Sequence, residues 1–196
     1  MPSLSVLGID FFARDSEVVA AELVGHLLVF EQKGLRFVGK VVEVEAYLGS
    51  EDPASHAFRG RTPRNTVMFG RAGISYVYFN YGSCYLLNVV TREIGLAGAV
   101  LIRALEPLEG IEAMKKRRKK SRGLGDLTSG PGKLTQAFGI TKRENGLDMT
   151  DGPLRFEENP GLPDILTIKA SERIGISRGK HLLYRFYIKD NPFVSK

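Results

Sequence analysis

The first side chain that could carry acid–base chemistry is Glu45, in the segment EVEAYLG at Glu43–Gly49. The surrounding residues 35–48 alternate and are rich in β-branched types, which predicts a strand. Residues two apart on a strand share a face, so Glu45 and Tyr47 are expected side by side. A carboxylate beside an aromatic surface is partly desolvated and can act as a general base. An exposed strand glutamate in a salt bridge is the alternative that the position leaves open.

A cluster of tyrosines could bind a flat ring. Four of them, Tyr76, Tyr78, Tyr81 and Tyr85, fall within ten residues. The runs ISYVYFNYG and CYLLNVVT predict two strands joined in a hairpin by the turn at Gly82–Ser83. Side chains of this kind form stacking platforms for nucleic-acid bases. A half-buried sheet with amphipathic tyrosines is the alternative interpretation.

The segment 49–73 reads as a long ordered loop rich in Gly, Pro, Arg and Asp, and long loops in compact domains are often functional. It places His56 near Arg61 and Arg64, which suit contacts with phosphate groups but could equally be ordinary surface arginines. With three histidines and one cysteine in the sequence, the companion ligands of a zinc site are lacking, and we expect no metal.

Two further segments could contact phosphates. SGPGK at Ser129–Lys133 lacks the full spacing of a nucleotide P-loop, but the backbone N–H groups of Ser129 and Gly130, with the side chain of Lys133, could hold one DNA phosphate. A simple helix start is the alternative. The run MKKRRKKSRG at 114–123 holds seven basic residues and no acidic one, so the net charge of +6 becomes −1 without it. Such a run is either a solvated loop or helix end, or a nucleic-acid contact.

The helices and strands that must position these groups are predicted from hydrophobic periodicity and from the residues that start and end helices. We predict a helix from Asp15 or Ser16 to about Leu28, and a strand in GAVLIRAL that ends at Glu106–Pro107. Pro107 is expected to start a helix with Leu108, Ile111 and Met114 on its apolar face. The remaining predictions are a short helix in SGPGKLTQAFGI and strands within ILTIKASERIGIS and LLYRFYIKD. The expected fold is α+β: residues 1–196 as one domain with a curved, mostly antiparallel β-sheet flanked by helices.

Composition excludes several classes of protein. The sequence is 43% hydrophobic and 26% charged, which is typical of a globular domain. It contains no stretch of about 18 apolar residues and begins without a secretory pattern, so neither a membrane protein nor a secreted one is expected. Cys84 stands alone in an apolar stretch, which predicts a small buried side chain and suits a reducing compartment.

Seven segments together resemble one family. In order they are EVEAYLG, EDPASH at 51–56, TPRN at 62–65, MFG at 68–70, YVYFNYGSCYLLN at 76–88, LIRALEPLEG at 101–110 and SGPGKL at 129–134. The family is the alkyladenine (3-methyladenine) DNA glycosylases, of the single-domain type found in mammals and bacteria. The resemblance extends from Phe12 to Phe193.

The resemblance implies an enzyme of base excision repair that flips a damaged purine out of double-stranded DNA and hydrolyses its N-glycosidic bond. It implies that Glu45 activates the water, that Arg103 helps to hold it, and that Tyr81 fills the gap in the duplex. The pocket for the flipped base then consists of Tyr47, His56, Tyr78 and Asn88, with Tyr76 behind the histidine. The residues suited to phosphate contacts by their type and position, Arg61, Arg64, Ser129, Gly130 and Lys133, are then expected at the DNA backbone.

The implied substrates are 3-methyladenine, 7-methylguanine, hypoxanthine and ethenoadenine, which the sequence does not rank. We expect a monomer without cofactor that leaves an intact abasic strand, in the cytoplasm or nucleoid of a bacterium or the nucleus of a eukaryote. Asn80, Ser83 and Cys84 depart from the family pattern around the turn and put the substrate range in doubt. Two alternatives remain: a non-catalytic nucleic-acid binder in which Glu45 is idle, and an RNA-binding or transferase-appended module.

Overall fold

A long central strand, β2 (Leu35–Leu48), organises the molecule. The computed structural model describes residues 5–80, 82–163 and 166–195. One side of β2 pairs from Val38 to Leu48 with β5 (Gly98–Glu109). On the other side, its first half pairs with β1 (Leu27–Gln32) and residues 43–45 pair with β8 (Arg185–Ile188).

The other strands complete a sheet of eight within the described ranges. They are β3 (Ser75–Asn80), β4 (Cys84–Val90), β6 (Leu154–Glu157) and β7 (Ile168–Ser171). The order is β3-β4-β5-β2-β1-β6, and β7 pairs with β8 beside β2. Every strand pair described is antiparallel. The predicted α+β fold with a curved, mostly antiparallel sheet is confirmed.

Short helices flank the sheet. They are α1 (Ile9–Phe12), α2 (Ser16–Leu23), α3 (Ile111–Arg117), α4 (Leu124–Leu127) and α5 (Pro131–Phe138), with single 3₁₀ turns at Thr66–Phe69 and Lys142–Glu144. They cover the face of β2 that carries Val42, Val44 and Ala46, each fully buried in the main core. The opposite face carries Glu43 and Glu45. In the part of the chain that the structure describes, no helix is long and apolar enough to cross a membrane.

Two predicted boundaries are wrong. Helix α2 ends at Leu23 and not near Leu28, because Gly25 has a left-handed φ of +99° and its N–H bonds Val41 O, which turns the chain into β1. Strand β5 continues through Pro107 to Glu109. A proline is tolerated there because β4 covers only residues 99–101 of β5, which leaves Pro107 with β2 as its one neighbouring strand.

Helix α3 accordingly begins at Ile111, after Gly110 at a φ of +77°. Of the predicted apolar face, Met114 is fully buried, whereas Leu108 belongs to β5 and is 44% exposed. The helix predicted in SGPGKLTQAFGI is α5, and the two late strand predictions correspond to the shorter β7 and β8. Cys84 is only half-buried, contrary to prediction, because it starts β4 beside a cavity.

Candidate active site

The register of four neighbouring strands aligns three of the predicted site residues in one row across the sheet. Tyr76 pairs with Asn88, Asn88 with Leu101, and Leu101 with Glu45, across β3, β4, β5 and β2. Directly opposed residues of antiparallel strands share a face. Tyr76, Asn88 and Leu101 line a cavity of about 480 Å³, within the range of small-molecule sites, and Glu45 lies just beneath its floor.

Glu45 is fully buried, so an exposed strand position is excluded. Its Oε1 accepts a hydrogen bond from Ile174 N at 2.7 Å and lies 3.3 Å from Arg103 Nη1. Its Oε2 accepts one from the Tyr47 hydroxyl at 2.7 Å. Each carboxylate oxygen has about two acceptor positions, so Oε2 keeps one beside the bond from Tyr47. Burial, and next the neighbouring Glu45 charge, raise the pKa of Tyr47 far above its usual value, so its hydroxyl stays protonated and donates.

Arg103 reaches this carboxylate through a β-bulge. Glu43 and Val44 are consecutive on β2 but oppose Ala104 and Ile102, so Arg103 is the extra residue on β5. Bulges of this kind re-aim a side chain. The Arg103 guanidinium lines the cavity, with its Nη1 near Glu45 and its Nε donating to Glu43 Oε1 at 3.0 Å.

Glu43 is a buried hub behind Arg103, and sequence reasoning gave it no role. Its Oε1 also accepts from Arg185 Nε at 2.6 Å and Ser195 Oγ at 2.8 Å, while Oε2 accepts from Ser195 N at 2.7 Å. Two carboxylates and two guanidinium groups therefore balance one another beneath the cavity. The signal that could have found Glu43 is its position two residues before Glu45, on the same strand face.

An aromatic wall stands on one side of the cavity. The rings of His56 and Tyr78 are 4.6 Å apart between centroids, those of Tyr76 and Tyr78 are 5.2 Å apart, and His56 Nδ1 lies 3.0 Å from the Tyr76 hydroxyl. Desolvation against these neighbours, and then the charge of Arg64, lower the pKa of His56 below 6.5. The imidazole at the rim is therefore neutral near pH 7.

The loop that carries His56 is ordered, as predicted, and Asn65 holds it. This buried side chain donates to the carbonyls of His56 at 2.8 Å and Gly60 at 3.0 Å, and accepts from Thr62 N at 2.6 Å. The asparagine of the TPRN segment thus closes the loop on itself and sets the height of His56 at the cavity rim.

The segment Ile174–Arg178 also lines the cavity, although the sequence gave it no role in the site. It follows Arg173, a buried arginine paired with buried Asp52. The first two residues of α5, Pro131 and Gly132, line the cavity as well, and Gly132 lies against Cys84. A Cβ atom at Gly132 would lie 2.6 Å from Cys84 Sγ, so glycine is needed for this close approach. Within the described ranges no cluster of three or more potential metal ligands occurs.

Of the residues predicted to contact the DNA backbone, Arg64 lies near Tyr78 and Gly130 precedes Pro131, and Tyr78 and Pro131 line the cavity. Arg61 and Arg64 are exposed: Arg61 bonds Thr66 Oγ1 at 2.7 Å, and the Arg64 guanidinium lies 5.3 Å from the Tyr78 ring centroid. Ser129 and Gly130 precede α5, and Lys133 pairs with Asp126 at 2.5 Å. Tyr81, predicted to fill the duplex gap, lies outside the described residues. Asn80 and Cys84, before and after the turn, both line the cavity.

The basic run is an ordered surface at the end of α3. Arg117 lies over the Phe37 ring at 4.4 Å and donates to Ala137 O at 3.1 Å, and Arg118 donates to Leu127 O at 2.9 Å. Three exposed lysines, Lys116, Lys119 and Lys120, form no ion pair within the described residues. The two arginines anchor the run, and the lysines present charge to solvent.

The chain matches one family model and several curated relatives. The model for methylpurine-DNA glycosylase matches residues 10–192. A protein of Prosthecochloris aestuarii is 51% identical over 188 residues, which is 95% of this chain and 89% of the relative. Proteins of Carboxydothermus hydrogenoformans (50% over 189 residues, 95% and 97% covered) and Chlorobaculum tepidum (47% over 194 residues, 97% and 90% covered) are similarly close.

These three relatives are named as 3-methyladenine DNA glycosylases. The match covers nearly the whole chain and includes all the segments on which the sequence-based resemblance rested. The predicted family of DNA-repair enzymes is confirmed. This chain belongs to the methylpurine-DNA glycosylase family.

Proposed function

We propose that the protein excises damaged purines from double-stranded DNA, with a water molecule activated by Glu45 as the nucleophile. The observation that carries this is the buried Glu45–Arg103 pair directly beneath a cavity walled by Tyr47, His56 and Tyr78. A base enters such a cavity only after it is flipped out of the stack. An alkylated purine carries positive charge and stacks favourably on electron-rich rings.

The chemistry requires few groups. A water molecule at the open acceptor position of Glu45 Oε2 gives up its proton to the carboxylate as its oxygen attacks C1′ of the deoxyribose. The bond between C1′ and the purine nitrogen breaks, and its electron pair leaves with the base. The negative charge of Glu45 also stabilises the positive charge that develops on the sugar. Tyr47 and Arg103 both line the cavity and contact the Glu45 carboxylate, and we place the entry of the water between these two side chains.

The products are a free base and an intact abasic strand. Alkylated or deaminated purines of the 3-methyladenine, 7-methylguanine, hypoxanthine and ethenoadenine class are the proposed lesions. Residues 1–196 act as one catalytic domain in a monomer, in the compartment that holds the DNA. Arg103 holds the water, Asn88 and Tyr76 shape the base pocket, and Tyr81 fills the gap in the duplex.

The proposed DNA surface includes Arg61, Arg64, Ser129, Gly130 and Lys133 and extends onto the basic run. Gly132 and Gln136 are four residues apart and therefore share a face of α5. Gly132 lines the base cavity, and Gln136 lines a second cavity formed with residues 116–121 of the basic run. A duplex lying over the base cavity along this face would pass over the free lysines.

The decisive experiment is single-turnover excision by Glu45→Gln on a duplex that contains one lesion. Glutamine keeps the shape but cannot take the proton, so the rate should fall by about 10²–10⁴-fold while duplex binding stays within a few-fold. Glu106→Gln, on the neighbouring strand and paired with Lys40, is the matched control. Near-normal excision by Glu45→Gln would refute the assignment. A borohydride-trapped protein–DNA adduct during wild-type turnover would refute water as the nucleophile.

A further inference from the structure

Arg173 is an unusual side chain for a segment without regular secondary structure, because its guanidinium group is completely buried. Its Nη2 donates to Asp52 Oδ1 at 2.7 Å and its Nη1 to Asp52 Oδ2 at 2.5 Å, a bidentate pair between groups 121 residues apart. Nη1 also donates to Ala46 O at 2.9 Å. Asp52 in turn accepts from Leu48 N and Ala54 N, so it is fixed within its own loop.

Arg173 is connected to the supports of both oxygens of Glu45, to one through its guanidinium group and to the other through its own backbone. Its Cζ lies 4.7 Å from the centroid of the Tyr47 ring, whose hydroxyl donates to Oε2. The residue that follows Arg173 is Ile174, whose N–H donates to Oε1 at 2.7 Å. Between Glu45 and Tyr47 on β2 is Ala46, the residue whose carbonyl oxygen Arg173 binds.

Fold stability alone gives little reason for such a pair. Two charges lose much hydration energy on burial, and replacing a buried ion pair by apolar residues of similar size is often neutral or stabilising. A planar guanidinium group instead fixes the directions of its hydrogen bonds, which a flexible ammonium group does not. Here the fixed guanidinium group holds the Tyr47 ring and the backbone before Ile174. The donors of these two residues set the orientation of the Glu45 carboxylate.

We propose that Arg173, locked by Asp52, is a positioning residue for base excision. It holds Tyr47 and Ile174 so that their donors occupy defined positions on the Glu45 carboxylate and leave the open acceptor of Oε2 directed at the attacking water. This proposal rests on the proposed role of Glu45. Arg173 touches neither substrate nor water and acts through Glu45.

The test is a double-mutant cycle with Arg173→Lys and Glu45→Gln, measured as the single-turnover excision rate constant at saturating enzyme. Lysine keeps the charge but loses the fork. A misplacement of about 1 Å at a reacting group costs up to about 10²-fold, so Arg173→Lys should be 10- to 100-fold slower while its affinity for lesion duplex changes less than about threefold. In the Glu45→Gln background the same substitution should slow excision no further, because the group through which it acts is gone.

Arg155→Lys is the matched control. Arg155 pairs with Glu31 and Glu157 at the opposite edge of the sheet, so its replacement should lower the melting temperature without changing the excision rate constant. Asp52→Asn, which retains the arginine but weakens its lock, serves as the second variant if Arg173→Lys does not fold, and should also slow excision. A lower melting temperature with an unchanged rate constant, or equal slowing in both backgrounds, would overturn the positioning role. Active Glu45→Gln would instead overturn the proposed function itself.

Discussion

Replacing Glu43 by glutamine tests the hub beneath the cavity. Glu43 is fully buried and accepts four hydrogen bonds, from Arg103, Arg185 and, twice, Ser195. Glutamine keeps the volume and one acceptor oxygen. Its NH₂ group, which only donates, must face either the Ser195 N–H or the two guanidinium groups, which are also donors. Breaking a buried ion pair on one side costs about 3–5 kcal/mol, and we expect the free energy of unfolding to fall by about that amount.

Urea unfolding measures the change. A protein near the middle of the ordinary range of about 5–15 kcal/mol remains folded after this loss, and its urea midpoint should then shift at an unchanged m-value. Glu106→Gln, which removes a half-exposed partner of Lys40, should cost at most about 1 kcal/mol. The excision rate constant of Glu43→Gln should also fall, because Arg103 loses its anchor. If the two variants shifted the midpoint equally, Glu43 would contribute no more to stability than an ordinary surface ion pair, and our account of Arg103 would be wrong.

Two further predictions concern the surface and pH. Changing the three exposed lysines of the basic run, at 116, 119 and 120, to serine should reduce the slope of log affinity against log salt by about 0.9 per lost phosphate contact, with excision from bound substrate unchanged; an unchanged slope would place the run away from DNA. Burial lowers the pKa of His26 below 6.5, because it outweighs the opposite effect of the Glu158 and Glu22 charges. The unfolded state therefore takes up the proton first as the pH falls. The melting temperature should therefore decline below pH 6.5, and less steeply in His26→Gln; equal declines would contradict this.

Local pattern was sufficient for much of the site. The alternation around Glu45 and Tyr47, and the aromatic hairpin with Tyr76 and Tyr78, predicted strands and shared faces that the structure has. Local pattern failed where one apolar run could belong either to a helix or to the strand that follows it. Leu27 and Leu28 fit either the end of a helix or the start of a strand, and Gly25 was the signal that decides between them.

Other parts depended on partners that no local pattern reveals. Arg103 is aimed by a bulge, which exists only in the register of β5 against β2. Arg173 lies in an irregular segment, and its partner Asp52 is 121 residues earlier in the chain. Pro107 looked like a helix start, because whether a proline fits a strand depends on how many neighbours that strand has at that point.

The supports of Glu45 come from very distant parts of the chain, and this has a consequence for the order of assembly. Ile174 is 129 residues from Glu45, and Ser195 is 152 residues from Glu43. These contacts depend on β8, which joins β2 through only three paired residues, whereas β5 pairs with β2 from Val38 to Leu48. Contacts between distant residues form late, and weakly paired edges open first. A folding or fluctuating chain can therefore possess its sheet, its core and its aromatic wall before the Glu45 carboxylate is held in place.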